Sequence, residues 1–257
     1  MNREDVNKVN LDLVLVMPAY NEAEEIANVV RQWIEVLRSL VGTGRFKMLV
    51  LDDGSKDDTF KILKSLEVEI PELIVETHSN MGHGPTIVKG YRKAIDMGTK
   101  WVAQADSDNP IPPSEFEKLW KNRDKADFIQ GWRAGRQEHW FRKRIVTPGA
   151  RFVSRFLFGA PLRDPNIPFR LMKAETLKKY LQWLPEPIPF APNVFLSAFA
   201  GREGKVYDNI PVENVFRPSK IWGKLELGKW SRLIWINAKD SFRVRKHYKR
   251  IVERAHK

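Results

Sequence analysis

The first half of the chain alternates short apolar runs with longer amphipathic ones. The runs "LDLVLVMPAY", "FKMLVLDDGS", "ELIVETH" and "KWVAQAD" predict buried strands, because each is short, apolar and bounded by polar residues. Three segments between them have helical spacing. They are "NEAEEIANVVRQWIEVLRSL" with Asn21 as N-cap, "KDDTFKILKSL" with acid in its first turn, and "PTIVKGYRKAIDMG", closed by Gly98. This alternation predicts an α/β fold with a mostly parallel sheet and helices on both faces.

Three of the predicted strands end in polar clusters, "PAYNE", "DDGS" and "DSD". The carboxyl ends of parallel strands meet at one edge of a sheet, and ligands bind beyond that edge. Asp106 and Asp108 lie two residues apart, so on an extended backbone both carboxylates point the same way. A hard cation such as Mg²⁺ or Mn²⁺ would remove their repulsion and keep positions open for substrate phosphates. The alternative is an Asx-rich turn before "PIPP".

Positive charge is concentrated in two segments of this 257-residue chain, whose net charge is +12. Residues 217–257 contain thirteen Lys or Arg against three acids, and residues 131–155 contain seven against one. This distribution indicates an anionic partner, and phosphorylated lipid, an anionic membrane and nucleic acid all qualify. In both segments the cations interleave with aromatic residues, as in helices that lie on a membrane surface. The alternative is a core-facing helix with a solvated basic tail.

Several classes of protein are excluded or disfavoured. The sequence has no cysteine, which excludes disulfides, thiolate metal sites and cysteine nucleophiles. No apolar run approaches the ~20 residues of a spanning helix, and "MNREDVNKVN" lacks the apolar centre of a signal peptide. We therefore expect a cytoplasmic, non-spanning protein. The acidic "DDGS" is unlike a phosphate-cradling loop, and no Walker-type lysine follows it.

Four motifs in order, "MPAYNEAEEI", "LVLDDGSKDDT", "NMGHG" and "AQADSDNP", resemble the inverting glycosyltransferases of family 2, which have a GT-A fold. Later, "GWRAG", "RDPNIPFRLMKAETL" and "VENVFRPSKIWGK" resemble its polyprenyl-phosphate branch, such as dolichol-phosphate mannose synthases. The resemblance covers about residues 11–225. It implies a GT-A domain at residues 11–215, followed by a basic C-terminal extension at residues 216–257.

The resemblance also implies site residues. It assigns the nucleoside of a nucleotide-sugar donor to Pro18, Tyr20, Glu22, Leu51 and Asp53. It assigns the donor diphosphate to Asp106, Ser107 and Asp108, with the two acids holding Mg²⁺ or Mn²⁺. It assigns the diphosphate or the acceptor phosphate to Arg133, Arg217 and Lys220, with Lys224 as an alternative to Lys220. Catalysis would then depend on Asp106, Asp108 and Arg133. The sequence departs from the family at Pro110, where related enzymes often carry a glutamine that could ligate the metal.

Structural alternatives remain open for several of these motifs. Pro18 and Tyr20 could simply end a strand, and Asp52 and Asp53 could form an Asx turn with Gly54. The glycines of "NMGHG" could serve only a turn, and His83 is more readily a loop residue than a ligand.

The chemical class of the sugar acceptor can be inferred from the lack of an acidic residue where a general base is expected. A hydroxyl acceptor needs a general base, usually a carboxylate in this family. Where hydroxyl-using relatives commonly place an acidic pair, this sequence has Pro192 and Asn193, with no acid until Glu203. A phosphate monoester has a second pKa of ~6, so it is already anionic near neutrality. The sequence therefore favours a phosphate acceptor, although Asp164 in "RDPN" could supply a carboxylate.

The expected function is metal-dependent, inverting sugar transfer from a nucleotide-diphosphate sugar to a polyprenyl phosphate, by a peripheral enzyme at the cytoplasmic membrane face. Two alternatives stay open. One is a glycosyltransferase acting on a hydroxyl of nucleic acid, whose backbone a basic, aromatic segment could follow. The other is a nucleotide-sugar-binding protein without catalytic activity.

Overall fold

The computed structural model describes residues 11–108, 110–134, 147–214 and 227–255. Seven strands form one sheet, namely β1 (Leu13–Ala19), β2 (Phe46–Asp52), β3 (Leu73–Thr77), β4 (Trp101–Gln104), β5 (Phe128–Arg133), β6 (Arg170–Lys173) and β7 (Val206–Val212). Their order across the sheet is β3-β2-β1-β4-β6-β5-β7. Strand β6 is antiparallel to both of its neighbours, and the other pairs are parallel. The predicted α/β fold with a mostly parallel sheet is confirmed.

Helices cover both faces of the sheet. They are α1 (Ile26–Leu40), α2 (Thr59–Glu69), α3 (His83–Asp96), α4 (Phe116–Lys121), α5 (Thr147–Phe152), α6 (Ala174–Gln182), α7 (Pro192–Arg202) and α8 (Leu227–Ala255). A π-helical segment, Val153–Leu157, continues α5. Helices α1, α2 and α4 pack on one face of the sheet. Helices α3, α6, α7 and α8 pack on the other.

Two predicted helix starts are wrong, and loop contacts explain both. Helix α1 begins at Ile26, because Asn21 has a φ of 55° and its side chain accepts a hydrogen bond from the N–H of Lys56 (2.8 Å) instead of capping the helix. Helix α2 begins at Thr59, and the Asp57 carboxylate accepts the Thr59 N–H (3.0 Å) from outside the helix. The predicted end of α3 is confirmed, since Gly98 has a φ of 75°.

Helix α3 packs directly against the sheet at a glycine. A β-carbon on Gly90 would overlap Val16 of β1 and lie 2.6 Å from Cδ1 of Leu51 of β2. Glycine in the middle of a helix costs about 1 kcal/mol relative to alanine. The close packing of α3 on β1 and β2 accounts for its presence.

Helix α8 is part of the hydrophobic core through one of its faces. The Tyr248 ring stacks on Phe199 of α7 (centroids 5.1 Å apart, 14° between planes) and meets Trp183 edge-on at 5.2 Å. Val244, one turn earlier, is fully buried. The alternative of a core-facing helix is therefore correct for this face. Within the described ranges, no helix is both long enough and apolar enough to cross a membrane.

Replacing Tyr248 by alanine should lower the free energy of unfolding by about 3 kcal/mol, because it empties an aromatic cluster that cannot fully collapse. The adjacent exposed Lys249→Ala provides the control, with an expected change within about 0.5 kcal/mol. Urea denaturation followed by circular dichroism measures both. Equal effects of the two substitutions would mean that α8 does not stabilise the core.

Candidate active site

The loops that follow β1 and β2 are tied to each other by hydrogen bonds. The Asn21 N–H donates to Oγ of Ser55 (2.9 Å), and the Asn21 side chain accepts the Lys56 N–H. The Glu22 N–H donates to the hydroxyl of Thr59 at the start of α2 (2.8 Å). Three bonds between residues more than thirty positions apart hold the "PAYNE" loop against the "DDGS" loop.

The Asp53 carboxylate links the "NMGHG" loop, which follows β3, to the two loops that follow β1 and β2. Its buried carboxylate accepts the N–H groups of Met81 (2.8 Å) and Gly82 (3.0 Å), and Nε2 of His78 lies 3.2 Å from Oδ1. The Asn80 side chain donates to the Asp53 carbonyl (2.9 Å). A carboxylate offers about four acceptor positions, so these contacts leave room for one more. Asp53 therefore orders the "NMGHG" loop, and its role at a nucleoside stays a prediction.

Asp52 and Gly54 form the turn that precedes these contacts. The Asp52 carboxylate accepts the Ser55 N–H (3.2 Å), three residues on, and the Thr77 hydroxyl (2.7 Å). Gly54 has a φ of 69°, and a β-carbon there would lie within 2.9 Å of backbone atoms of His78 and Asn80. No side chain fits between these two loops.

The other predicted nucleoside contacts differ in exposure. Tyr20 is 37% exposed just beyond β1, and Glu22 is half-buried. Pro18 and Leu51 pair across β1 and β2, and both are buried. The Leu51 side chain packs against Gly90 in the core. These four roles stay predictions.

The predicted geometry of Asp106 and Asp108 is wrong. Strand β4 ends at Gln104, and Ser107 and Asp108 form a turn, so the two acids are not on an extended backbone. A proline at Pro110 and two more at residues 112–113 lack the N–H groups that would continue a strand. The backbone here forms a turn, as in the alternative of a turn before "PIPP". Both acids still lie at the edge of the sheet where the parallel strands end.

The carboxylates of Asp106 and Asp108 suit a cation whose remaining ligands come from substrate phosphates and water. Oδ1 of Asp106 is buried and has no hydrogen-bond partner, while Asp108 is exposed. In the described part of the chain, no three His, Asp or Glu side chains come together as a metal site. Two carboxylates would supply only part of an Mg²⁺ or Mn²⁺ shell, and such ions commonly take the rest from substrate phosphates and water.

A buried polar row lies beneath this turn, across three strands. Gln104 of β4, Arg170 of β6 and Gln130 of β5 pair in register, and all three are fully buried. The Arg170 guanidinium donates to the carbonyls of Ile167 (3.0 Å from Nε) and Asn193 (3.1 Å). The row crosses β6 and so connects the two halves of the sheet.

Helices α3 and α7 supply hydroxyl groups to the row. Tyr91 donates to Oε1 of Gln104 (2.5 Å), and Ser197 donates to Oε1 of Gln130 (2.8 Å). Burial raises the pKa of Tyr91 well above its usual value, so Tyr91 remains a neutral hydroxyl donor. The amide nitrogens of Gln104 and Gln130 are buried without a partner among the described residues.

Arg170 is a buried cation with no adjacent anion. None of the Asp and Glu side chains that the structure describes lies within ion-pair distance of its guanidinium. Burial lowers the pKa of Arg170, and the nearby carboxylates of Asp164 and Asp106 act in the opposite direction. Its charge therefore acts on Asp106 from a distance, from the interior side of the candidate metal site.

Arg133 and Asp164 form a buried ion pair. Nε and Nη2 of Arg133 lie 2.9 and 3.3 Å from the two carboxylate oxygens of Asp164, and both side chains are nearly inaccessible. Because its carboxylate is paired with an arginine, Asp164 is a poor general base. Arg133 as a phosphate contact stays a prediction. The other two predicted phosphate contacts, Arg217 and Lys220, lie outside the described residues.

The start of α7 presents an amide, not an acid. Asn193 is 3% exposed, its side-chain oxygen lies 3.3 Å from the Tyr91 hydroxyl, and its carbonyl accepts from Arg170. It belongs to the buried network. Sequence reasoning missed that network, although a glutamine inside each of two apolar strands and an arginine in "PFRLMK" were visible signals.

Gly54→Ala should lower the free energy of unfolding by about 3 kcal/mol, because it combines a left-handed backbone with a clash against residues 78–80. Gly44→Ala is the matched control, since Gly44 has a φ of 77° and open space around it. There we expect only the backbone cost, about 1 kcal/mol. Chemical denaturation distinguishes the two, and equal losses would contradict the close contact between the loops.

Comparison with known proteins agrees with this fold and gives the family of the chain. A sequence profile of glycosyl transferase family 2 matches residues 14–181. The chain is 25% identical over 185 residues to the UDP-N-acetylglucosamine–dolichyl-phosphate N-acetylglucosaminyltransferase of Methanococcus voltae, covering 65% of this chain and 71% of the relative. It is 27% identical over 173 residues to the polyprenol monophosphomannose synthase of Mycolicibacterium smegmatis, covering 65% of this chain and 63% of the relative.

Solved structures share the fold. Glucosyl-3-phosphoglycerate synthase from Mycobacterium tuberculosis, in complex with Mn²⁺ and UDP-glucose, superimposes with a TM-score of 0.64 at 17% identity, covering 91% of this chain and 80% of that one. At this identity the likeness shows a GT-A-like fold. The profile match extends over more than half of the residues, from β1 to α6. The chain is a glycosyltransferase and belongs to glycosyl transferase family 2.

Proposed function

We propose that this glycosyltransferase moves a sugar, with inversion, from a nucleotide-diphosphate sugar to a polyprenyl phosphate. The observation that carries the proposal is that neither of the two candidate positions for a general base, the start of α7 and Asp164, offers an available one. Asn193 occupies the start of α7 and is buried, and Asp164 is paired with Arg133. A phosphate acceptor needs no deprotonation by the enzyme near neutral pH. One of the two relatives is named for dolichyl phosphate and the other for polyprenol monophosphomannose, which supports this acceptor class.

The donor nucleoside is assigned to the linked loops beyond β1 and β2. Tyr20 offers a partly exposed ring, and Glu22 sits on a backbone fixed by Thr59. Asp53 orders the "NMGHG" loop and keeps one acceptor position open. The proposed nucleoside contacts are Pro18, Tyr20, Glu22, Leu51 and Asp53.

The donor diphosphate is assigned to the turn after β4. Asp106 and Asp108 would hold Mg²⁺ or Mn²⁺, with Ser107 between them beside the diphosphate. The bound ion would neutralise the charge that develops on the departing nucleoside diphosphate. A relative of the same fold was crystallised with Mn²⁺ and UDP-glucose, which supports this choice of ion and donor class.

Transfer requires one bond to form and one to break. An acceptor phosphate oxygen attacks the anomeric carbon from the side opposite the diphosphate, and the bond from that carbon to the diphosphate oxygen breaks. The nucleoside diphosphate leaves with the electron pair. Cationic side chains aimed at the leaving oxygens lower the barrier to such a step. Arg133, Arg217 and Lys220 are the proposed contacts to the phosphates.

The acceptor places the reaction at a membrane surface. A polyprenyl phosphate is anchored in a bilayer by its hydrocarbon chain, so the enzyme must act where the phosphate meets water. We propose that the protein works peripherally, at the cytoplasmic membrane face.

A donor and acceptor panel tests the proposal. UDP-, GDP- and dTDP-sugars are supplied with Mn²⁺, and nucleotide release is compared with polyprenyl phosphate, with DNA, and with neither. We expect release that rises only with the lipid phosphate. Release stimulated only by DNA would favour a nucleic-acid acceptor. Binding of a donor without release under any condition would favour a binding protein.

Asp108→Asn should lower kcat by about 100-fold or more, because one of two protein ligands to the ion loses its charge. The free energy of unfolding should change little, since Asp108 is exposed. Asp124→Asn, at another exposed aspartate, is the control. Unchanged turnover in the Asp108 variant, measured across an Mn²⁺ titration, would remove this residue from the metal site.

A further inference from the structure

Helix α8 has two opposite faces with different surroundings. Asp240, Val244 and Tyr248 repeat every four residues and are buried against the core. Trp235 and Phe242, seven residues apart, lie on the opposite face and are 63% and 67% exposed. Two large aromatic side chains are therefore held in water by a helix whose other side is fixed in the protein.

Cations flank these two aromatic residues. At about 100° per residue, five exposed cationic side chains fall within about 70° of the Trp235–Phe242 line. These are Arg232, Lys239, Lys246, Lys249 and Arg250. Nζ of Lys239 lies 5.1 Å from the centre of the Trp235 ring. Of the two acids on α8, Asp240 is on the buried face, and Glu253 lies on the Trp235–Phe242 line near the end of the helix.

A second exposed aromatic pair lies on the segment that packs beside α8. Phe152 and Phe156 are 57% and 64% exposed, with ring centroids 4.8 Å apart. Arg151 and Arg155, the residues immediately before them, are also exposed. This segment leads into Phe158, whose ring meets Tyr248 of α8 at 6.0 Å.

Helix α8 is also linked, through intervening residues, to the strand-end edge of the sheet, meaning the edge where the parallel strands have their carboxyl ends. The Asp240 carboxylate accepts the N–H of Phe190 (2.9 Å). The carbonyl of Phe190 lies 2.7 Å from where a β-carbon on Gly84 would be, in the first turn of α3. The preceding loop residue, Gly82, bonds to Asp53. The Asp240 turn of α8 is thus connected to Asp53 of the proposed donor pocket through three contacts.

We propose that the exposed face of α8, extended by Phe152 and Phe156, binds the surface of an anionic lipid bilayer. Tryptophan and phenylalanine rings enter the headgroup region, and lysine and arginine side chains keep their charges beside anionic headgroups. Each such cation strengthens binding by about fivefold. The purpose of this attachment, bringing a lipid phosphate to the strand-end edge, rests on the proposed function. The attachment itself does not.

Sedimentation with vesicles tests the attachment without donor or acceptor. The full chain is mixed with phosphatidylcholine vesicles, alone or containing about 30% phosphatidylglycerol. We expect binding to the anionic vesicles that weakens with salt. Trp235→Ala/Phe242→Ala should weaken it at least tenfold, and Phe152→Ala/Phe156→Ala at least threefold. Val68→Ala removes an exposed apolar side chain from α2 and should have no effect.

Charge is tested by a matched pair of substitutions. Lys246→Glu on the proposed face should weaken vesicle binding about tenfold or more, whereas Lys61→Glu on exposed α2 should change it little. Binding that is equal for neutral and anionic vesicles, or unaltered in the Trp235/Phe242 variant, would overturn the proposal. Tighter binding of a DNA duplex, lost in that same variant, would overturn it in favour of nucleic acid.

Activity with a detergent-solubilised polyprenyl phosphate separates this proposal from the proposed function. The Trp235/Phe242 variant should keep wild-type turnover in detergent while losing turnover on vesicles. If wild-type protein binds vesicles but transfers no sugar in either setting, the attachment stands and the proposed acceptor is wrong. Loss of turnover in detergent by the variant would place these residues in folding or catalysis and contradict a purely membrane-binding role.

Discussion

The carboxylate of Asp53 is the interaction on which the shape of the site depends. It accepts two successive backbone N–H groups from the loop that leads into α3, and it lies beside His78. A buried carboxylate is costly unless such donors surround it, and the donors in turn would be unsatisfied without it. Because the loops after β1 and β2 are also bonded to each other, all three strand ends form one network. The positions of the three loops therefore depend on one another through these hydrogen bonds.

Most of the sheet was predictable from the sequence because its first four strands are short apolar runs between amphipathic helices. The edge carrying the site was predictable for the same reason, since polar residues follow those runs directly. Asn21 and Asp106 show where local reasoning fails. Asn21 is a good N-cap by type, but it bonds to a loop that is distant in sequence. Asp106 follows a strand, but three prolines shortly after it end the extended conformation.

The polar residues of the buried row were visible in the sequence, but their association was not predictable, because it depends on strand pairing between distant residues. Strand β6 is four residues long and antiparallel, and nothing local indicates that Arg170 would lie between two glutamines. Polar residues in short strands more often face solvent. In the folded protein, the row places the Arg170 guanidinium behind Asp106, and none of the described Asp or Glu side chains pairs with it. The geometry of this turn is thus linked to the packing of α3 and α7, which supply the hydroxyl groups.

The aromatic stack of Tyr248 on Phe199 has a consequence for geometry at a membrane. A tail joined by a flexible linker would let the catalytic domain tumble above the bilayer, and the distance from the site to the lipid headgroups would vary. Helix α8 is instead fixed to α7 by interlocked rings, so its outward face has one orientation relative to the sheet. A bilayer bound to that face would meet the domain at a single angle. The helix would then act as a spacer that sets the height of the strand-end edge above the lipid.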